Sequence, residues 1–309
     1  MKLNQINSRK IAYCKIIATV IIWAGVYHVA KYLSGLADVA SIALVRFLLA
    51  SIVLFVFYRP GKTLQVTSVT RAHWIMLMLI GFFGIAAYNV LFFAAEKRIS
   101  ADNVAIIYAF APCLTVLLSM IFLKQRLSSL GYLGIAIALV GTMGVLGVSN
   151  PECGQLFCRA ELHTMSLGQV YAILAMLSFA MYCVLVKKAI LMRLDSIVIT
   201  KLGTLCGAVL LLINYLFFGG SVIAFLHHGW VFWLGMLYTS VIATAVSYKW
   251  YNDVISVLGV PETVVFQNGV PFFTILIGIV ITGSGVSWLE FVCGVVIVTG
   301  VLVTNYAAY

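Results

Sequence analysis

Apolar runs about as long as a lipid bilayer is thick recur along the chain, and they constrain its fold more than any other feature. A helix needs about 20 apolar residues to cross a bilayer. Only 9% of the residues are charged, whereas a soluble chain carries about 25%. The pattern predicts an all-α polytopic membrane protein with ten transmembrane helices in the lipid bilayer, at roughly 12–34, 38–58, 73–95, 102–123, 129–148, 168–188, 196–218, 229–251, 261–282 and 287–308.

Basic residues are divided unevenly between the connections of these predicted helices. With the N-terminus in the cytoplasm, twelve Lys and Arg residues fall at cytoplasmic helix ends and four at the opposite ends. This agrees with the positive-inside rule, so we predict a multi-pass protein of the bacterial inner membrane with both termini cytoplasmic. The topology accounts for the net charge of +10, so nucleic acid is not a predicted partner.

The second half of the chain repeats the first. Pro112 aligns with Pro271, 159 positions later, and Trp23 aligns with Phe179, 156 positions later. The small change of offset corresponds to a difference in loop length. Similarity at a fixed spacing indicates an internal repeat, and each copy contains five of the ten apolar runs.

Residues 1–149 and 168–309 are therefore predicted to form two five-helix repeats, which residues 150–167 connect as a periplasmic loop. Because five is an odd number, the second copy must insert with the opposite orientation. Inverted repeats are a recurring architecture of secondary transporters, whose substrates bind near the middle of the membrane.

The ninth apolar run contains a cluster of residues that weaken a helix. Gln267 and Asn268 carry amides, and Gly269 and Pro271 loosen the backbone beside them. Interrupted helices at matching repeat positions indicate a transporter binding site, and Pro112 is the matching break. One interpretation is a substrate contact at Gln267 and Asn268 beside hinges at Pro112, Gly269 and Pro271. The other is an interhelical hydrogen bond with a fixed kink.

Further aromatic and polar side chains lie inside other apolar runs. An aromatic cavity with few polar groups suits amphipathic substrates, although core packing explains any one aromatic residue equally well. The histidine of this set is either a proton-responsive contact or a hydrogen-bonded core residue. The predicted cavity residues are Trp23, Tyr27, His28, Tyr88, Asn89, Tyr108, Tyr182 and Tyr248.

Arg46 stands well inside the second apolar run. A charge at such a position costs about 2.5–3.5 kcal/mol on insertion scales, and it marks a functional site by default. Arg46 either binds a substrate carboxylate or pairs with helix carbonyls or with a carboxylate such as Glu290. The sequence leaves both alternatives open.

Several of these residues also carry a family resemblance: Trp23 with Lys31, "LVRFLLAS" around Arg46, the Pro112 helix followed by "LKQRLSSLGYLGIAIALVG", and the Pro271 helix. The chain resembles the drug/metabolite transporter superfamily in its ten-helix EamA-type branch. The resemblance implies two inverted five-helix repeats around a central cavity. It also implies export or exchange of small metabolites such as amino acids, and sometimes of drugs or nucleotide derivatives.

The acidic residues limit how such a transporter is driven. All of them lie near predicted helix ends or in the outer loop, so no buried carboxylate offers a proton relay. A facilitator or exchanger is therefore at least as plausible as proton coupling. The chain also lacks an H-E-x-x-H helix and a G-x-x-x-x-G-K-[ST] phosphate loop, which argues against an intramembrane enzyme and against ATP drive. We predict no cofactor, metal site or catalytic residue.

Two further predictions concern cysteines and glycines. Cys153 and Cys158 lie in the predicted periplasmic loop, where an oxidising compartment permits a disulfide; two unpaired thiols are the alternative. The fifth apolar run contains Gly131, Gly134 and Gly141, which allow close helix packing, either within the chain or in a homodimer. The resulting hypothesis is a secondary transporter of a small amphipathic metabolite.

Overall fold

The computed structural model consists of helices, with no β-strand among the residues that it describes: 2–58, 70–98, 107–108, 110–124, 127–149, 166–218, 220–221, 227–282 and 288–306. Seven helices in these ranges are long and apolar enough to cross a membrane. Three shorter apolar helices are Ala111–Leu123, Ser129–Gly144 and Phe291–Thr304. The chain is therefore a multi-pass membrane protein, whereas the total of ten spanning helices stays a prediction.

Two compact units make up the chain. Unit 1 comprises Met1–Val90 and Met181–Leu258, and unit 2 comprises Leu91–Ala180 and Gly259–Tyr309. Each unit thus combines segments of both predicted halves. Compactness does not test sequence repetition, so the two-repeat division also stays a prediction.

Unit 1 is built from long helices that two π-helical segments interrupt. In chain order its elements are α1 (Lys2–Ser34), α2 (Val39–Phe57), α3 (Arg71–Gly81), π1 (Phe82–Ala87), the beginning of α4 (Tyr88–Glu96), the end of α7 (Leu167–Leu191), α8 (Ser196–Phe218), α9 (Trp230–Leu237), π2 (Tyr238–Val246) and α10 (Ser247–Leu258).

Helix α8 organises the packing of unit 1, because α2, α3 and π1 all pack against it. The approach of α3 to α8 depends on glycine: a Cβ atom on Gly81 would lie only 2.6 Å from the backbone nitrogen of Gly207. On another side, α1 packs against α10 and π2, and π2 also contacts α2. The helices that carry most of the predicted cavity residues therefore meet in this unit.

Unit 2 contains shorter helices. Besides the end of α4 and the beginning of α7, its elements are α5 (Ala111–Leu123), α6 (Ser129–Ser149), α11 (Val260–Val264), a 3₁₀ segment (Val265–Asn268), α12 (Gly269–Thr282) and α13 (Trp288–Tyr306). Helices α6 and α13 form the main contact of the unit.

Glycines bring α6 and α13 together. A Cβ atom on Gly141 would lie 2.8 Å from the backbone nitrogen of Ile297, and one on Gly134 would lie 2.5 Å from that of Thr304. These distances are shorter than real Cβ contacts, so only glycine permits this approach. The glycine face of α6 therefore packs within the chain, against a helix of the other predicted half. Homodimer formation stays a prediction.

Candidate functional site

Arg46 lies near the middle of α2 and is held there by a neutral partner. Its Nε donates a hydrogen bond of 2.9 Å to Oγ1 of Thr244, and its guanidinium carbon lies 5.3 Å from the ring centroid of Phe47. The phenol groups of Tyr248 and Tyr88 are close enough to interact with it electrostatically. Among the side chains that the structure describes, no carboxylate is its partner, and no helix carbonyl is either. The side chain of Glu290, the carboxylate considered from the sequence, lies outside this described set.

Most of the hydrogen-bonding capacity of Arg46 is unused. A guanidinium has five N–H donors in a planar fork that matches a carboxylate. Among the described residues, only Nε makes a hydrogen bond, and the side chain is partly exposed. The two terminal nitrogens therefore have no hydrogen-bond partner among these residues.

The π-helical segment π2 orients the Thr244 hydroxyl so that its oxygen accepts the hydrogen bond from Arg46. The Thr244 hydroxyl donates to the carbonyl of Thr239, five residues earlier, over 2.7 Å. Because its proton is directed there, the hydroxyl oxygen faces Arg46 as an acceptor. Ser247 makes the same five-residue contact to the carbonyl of Ile242. A π-helix shifts backbone bonding to this spacing, so π2 fixes the orientation of the guanidinium.

An aromatic cluster lies beside the cation, with Tyr248 at its centre. The Tyr248 ring centroid is 5.9 Å from that of Trp23, 5.8 Å from that of Tyr182 and 6.4 Å from that of Phe47. Trp23 also contacts Tyr251, at 5.1 Å. These separations are typical of favourable aromatic pairs. The sequence prediction placed Trp23, Tyr182 and Tyr248 in one cavity, and the structure brings these three together beside Arg46.

Buried hydrogen bonds hold the cluster in place. The Tyr182 hydroxyl donates to Oδ1 of Asn252 over 2.7 Å, and the Asn252 amide donates to Oγ1 of Thr200 over 2.9 Å. Cys183 and the Tyr251 hydroxyl are 3.4 Å apart. Because every member of this network is satisfied, it stabilises one arrangement of the rings.

The two π-helical segments supply carbonyl acceptors to the same cluster. Nε1 of Trp23 donates to the carbonyl of Ala243 in π2 over 3.1 Å, and the Tyr248 hydroxyl donates to the carbonyl of Gly84 in π1 over 3.4 Å. Gly84 also makes room for Tyr182, because a Cβ atom there would lie 2.2 Å from its ring. Both segments thus shape the site.

The remaining predicted cavity residues of unit 1 have different surroundings. Asn89 is buried, and its amide donates to the carbonyl of Ile85 in π1 over 2.7 Å, which gives it a structural role. Tyr88 begins α4, directly after π1, and its phenol lies near Arg46. Tyr27 and His28 are partly buried on α1, one turn beyond the tryptophan of the cluster.

Unit 2 contains the other predicted contact, Asn268, at the end of the 3₁₀ segment. The side chain is 2% exposed. Neither Oδ1 nor Nδ2 has a hydrogen-bond partner within the described part of the chain. The backbone carbonyl of Asn268 accepts a hydrogen bond of 3.4 Å from Oγ1 of Thr142. Gln267 precedes it and is partly buried.

The predicted hinge residues lie at helix starts. Pro112 occupies the first turn of α5, where proline is tolerated because the N–H has no intrahelical partner. Gly269 begins α12, directly after the 3₁₀ segment, and Pro271 lies in the first turn of that helix. The interruption before α12 is therefore the 3₁₀ segment itself.

Two other sets of predicted residues do not belong to the aromatic cluster. Tyr108 belongs to unit 2, where its ring centroid lies 5.5 Å from that of Phe92. It packs there in an apolar cluster with Ala95 and Ala172. Cys153 and Cys158 lie outside the described residues.

Sequence reasoning missed four residues of the site: Phe47, Thr244, Tyr251 and Asn252. A helical spacing connects two of them with Tyr248, because positions three and four residues apart share a helix face. This signal identifies Tyr251 and Asn252. Nothing in the sequence pattern indicates the π-helical segment that presents Thr244.

Most of the chain matches a known protein family. The EamA-like transporter family matches residues 10–147 and 166–306. The chain belongs to the EamA-like transporter family. This transporter is 25% identical over 296 residues to the uncharacterized transporter YyaM of Bacillus subtilis, covering 95% of this chain and 93% of YyaM.

Two further similarities support more limited conclusions. A probable terminal-alkyne amino-acid exporter of Streptantibioticus cattleyicolor is 29% identical over 126 residues, or 41% of each chain. A crystal structure with 19% sequence identity aligns with a TM-score of 0.73, over 98% of this EamA-like chain and 99% of its own. That structure shows a shared fold.

A second charged group in unit 1 of this EamA-like transporter lies apart from the aromatic cluster. Asp253 accepts from Lys15 over 2.5 Å, also binds Lys249, and accepts from the Ser196 hydroxyl. The carboxylate is thus compensated on both oxygens. Among the described residues, no group of three or more His, Cys, Asp or Glu residues could hold a metal ion.

Proposed function

We propose that this protein is a secondary transporter for a small amphipathic metabolite that carries a carboxylate, an amino acid or a related compound. It works by alternating access in the bacterial inner membrane and supports export or exchange. The observation that carries this proposal is Arg46. Its partly exposed guanidinium lies inside an apolar helix, uses one neutral partner and borders an aromatic cluster.

The energetics favour a carboxylate ligand at Arg46. A cation within a spanning helix costs about 2.5–3.5 kcal/mol, and one hydrogen bond to a hydroxyl offsets only part of this. A carboxylate offers two parallel charge-assisted hydrogen bonds to the guanidinium fork. Its arrival would thus supply a charged partner that Arg46 does not have among the described residues.

The aromatic cluster suits the apolar part of such a substrate. Trp23 and Tyr248 have their polar atoms bonded to backbone carbonyls. The ring of Trp23 is partly exposed and presents apolar surface, whereas Tyr248 is buried. Burying apolar area contributes about 25 cal/mol per Å². We assign substrate contact to Arg46 and Trp23, which the buried rings of Tyr248 and Tyr182 support. We assign Asn268 a hydrogen-bonding role during the transport cycle.

Ten helices in two inverted repeats remain part of this proposal. The starts of π1 and π2, Phe82 and Tyr238, are 156 positions apart, which equals the offset between Trp23 and Phe179. This equal spacing supports the repeat. The relative from Streptantibioticus cattleyicolor, named as a probable amino-acid exporter, supports a substrate of the amino-acid type.

Counterflow in proteoliposomes tests the proposal. Vesicles are preloaded with unlabelled amphipathic carboxylates, and accumulation of the labelled compound is measured with wild type, Arg46→Lys and Arg46→Gln. We expect saturable counterflow by wild type. We expect a loss of roughly 30-fold or more in Arg46→Gln, because losing one partner of a buried charge pair costs about 2–5 kcal/mol. Arg46→Lys should retain part of the counterflow, since lysine keeps the positive charge but lacks the planar guanidinium.

The matched control is Arg98→Gln. Arg98 also lies over an aromatic ring, that of Tyr171 at 5.0 Å, but it is exposed at the end of α4. It should transport like wild type. Equal counterflow in folded Arg46→Gln and wild type would contradict the assignment of Arg46.

A further inference from the structure

Every carboxylate in unit 1 is engaged away from Arg46. The unit contains three acidic residues, Asp38, Asp195 and Asp253. Asp38 and Asp195 accept backbone N–H groups at the starts of α2 and α8, and Asp253 binds two lysines. Arg46 forms no ion pair with any of them. The positive charge of the site is therefore uncompensated within the described unit.

The net charge of unit 1 is positive, like the charge of Arg46. Its sequence contains fourteen Lys and Arg residues but only three Asp and Glu, whereas unit 2 contains five and six. All of the excess positive charge thus belongs to the unit that contains Arg46. Such a field raises the local concentration of anions and lowers that of cations.

The acceptors around the cluster are neutral, and each already accepts one hydrogen bond from a side chain of the cluster. The carbonyls of Ala243 and Gly84 accept from the tryptophan and tyrosine of the cluster, and Oδ1 of Asn252 accepts from a buried phenol. Because the three carboxylates of unit 1 are engaged elsewhere, a zwitterionic amino acid would bring its ammonium beside Arg46 without an anionic partner in this unit. Two like charges at close range in a poorly hydrated site repel strongly.

Attraction of an ammonium to the aromatic rings does not offset this cost. A cation–π contact changes affinity by about 2- to 30-fold. Burying an ion without a hydrogen-bonded counter-ion lowers affinity by roughly a hundredfold or more. The balance favours a substrate whose only charge is the carboxylate.

We propose that the Arg46 site selects monoanionic organic acids without a free ammonium group over zwitterionic amino acids. This inference rests on the proposed function and narrows its substrate class. Each net transport event then moves one negative charge across the membrane. An interior-negative potential drives that charge outward, with an equilibrium gradient of about 50-fold for each 100 mV. Export needs no proton relay under this scheme.

Pairs of substrates that differ only at the amine provide the test. Phenyllactate has a hydroxyl where phenylalanine has an ammonium, and the hydroxy acid analogue of leucine is related to leucine in the same way. Uptake of all four labelled compounds into empty proteoliposomes is measured at neutral pH, with a potassium diffusion potential of either sign. Wild type, Arg46→Gln and the Arg98→Gln control are compared, and thermal unfolding verifies that each is folded.

We expect wild type and Arg98→Gln to take up at least one hydroxy acid at least tenfold faster than its amino acid. An interior-positive potential should accelerate this uptake, and folded Arg46→Gln should lose the preference. Equal or faster uptake of both amino acids would overturn the inference while leaving the proposed function intact. A rate of hydroxy acid uptake that does not depend on the membrane potential would contradict the inference that each transport event moves one negative charge. No saturable uptake of any of the four compounds would overturn the proposed function itself.

Discussion

Two buried asparagines have opposite surroundings in this molecule. Asn252 in unit 1 is 1% exposed and bonded at both ends of its amide, accepting from Tyr182 and donating to Thr200. Asn268 in unit 2 is 2% exposed, and its amide has no partner among the described residues. The same side chain is thus part of a hydrogen-bond network at position 252, whereas at position 268 it has no hydrogen-bond partner among the described residues.

The difference indicates different reasons for having an amide at each position. A hydrogen-bonded buried amide contributes to stability, whereas one without a partner costs about 1–3 kcal/mol. Asn252 is therefore explained by folding, because it holds the aromatic cluster in place. Asn268 is not explained by folding in the described conformation. A partner that arrives during transport, such as a substrate or a rearranged 3₁₀ segment, would account for it.

Replacing the bonded asparagine should have the largest effect on stability. Asn252→Leu removes the partner of the Tyr182 hydroxyl and of Thr200, so it should lower the free energy of unfolding by about 2–4 kcal/mol. Thermal unfolding in detergent micelles measures the change. A stability equal to that of wild type would mean that the network does not hold the cluster.

The same replacement at the other asparagine should have the opposite sign. Asn268→Leu removes an unpartnered amide, so the free energy of unfolding should stay constant or rise by about 1–2 kcal/mol. Counterflow should nevertheless be lost. Gln267→Leu should likewise lose transport without losing folded protein. Normal transport in both variants would remove Asn268 and Gln267 from the functional site.

A substitution at Thr244 examines how the Arg46 site is oriented. Thr244→Val keeps the shape but removes the acceptor for Nε. The affinity for a carboxylate should fall roughly 5- to 10-fold, since a hydrogen bond to a charged group contributes about 1.5–3 kcal/mol and solvent replaces part of it. Thr244→Ser should restore the affinity. A merely structural role predicts instead that the carboxylate and its amide analogue weaken equally in binding assays.

The smallest effect concerns Asp38, which caps the helix that carries Arg46. Burial alone would raise the pKa of this carboxyl, but hydrogen bonds from Ser41 and from the backbone N–H of Ser221 outweigh it, so the pKa is lowered. The stabilisation is therefore complete above the ordinary pKa of about 3.9 and is lost as the pH falls through the lowered value.

Asp38→Asn isolates this contribution, because Asn caps a helix about as well as Asp. At neutral pH the variant should unfold within roughly a few tenths of a kcal/mol of wild type. Below about pH 4 the difference should shift in favour of the variant. Unfolding curves over a pH series would reveal this, and curves that stay parallel at every pH would contradict the role of the ionised carboxyl.

Much of the architecture could be predicted from the sequence because membrane helices depend on length and apolar composition. Helices within the described residues follow the predicted runs closely, as at Ser196–Phe218. Arg46 was also identifiable from the sequence as a candidate, since a charge inside an apolar run is costly. Trp23, Tyr182 and Tyr248 were predicted as cavity residues for their chemistry and converge beside it.

The rest depended on information that composition does not contain. The π-helical segments have the same apolar composition as the helices that they interrupt, so the acceptor role of Thr244 was not predictable. Tyr108 and Asn89 look like cavity residues in sequence, but one packs against Phe92 and the other completes π1. Polar chemistry inside an apolar run indicates candidates, and the tertiary contacts decide which of them face a ligand.

Ligand-dependent thermal stability of wild type and Arg46→Gln tests the central claim most directly, because it reports binding without transport. A ligand that binds the folded state raises the unfolding temperature in proportion to its occupancy. We predict that phenyllactate stabilises wild type, that its uncharged amide does not, and that neither stabilises Arg46→Gln. Equal stabilisation of both proteins by phenyllactate would contradict recognition of the substrate carboxylate by Arg46.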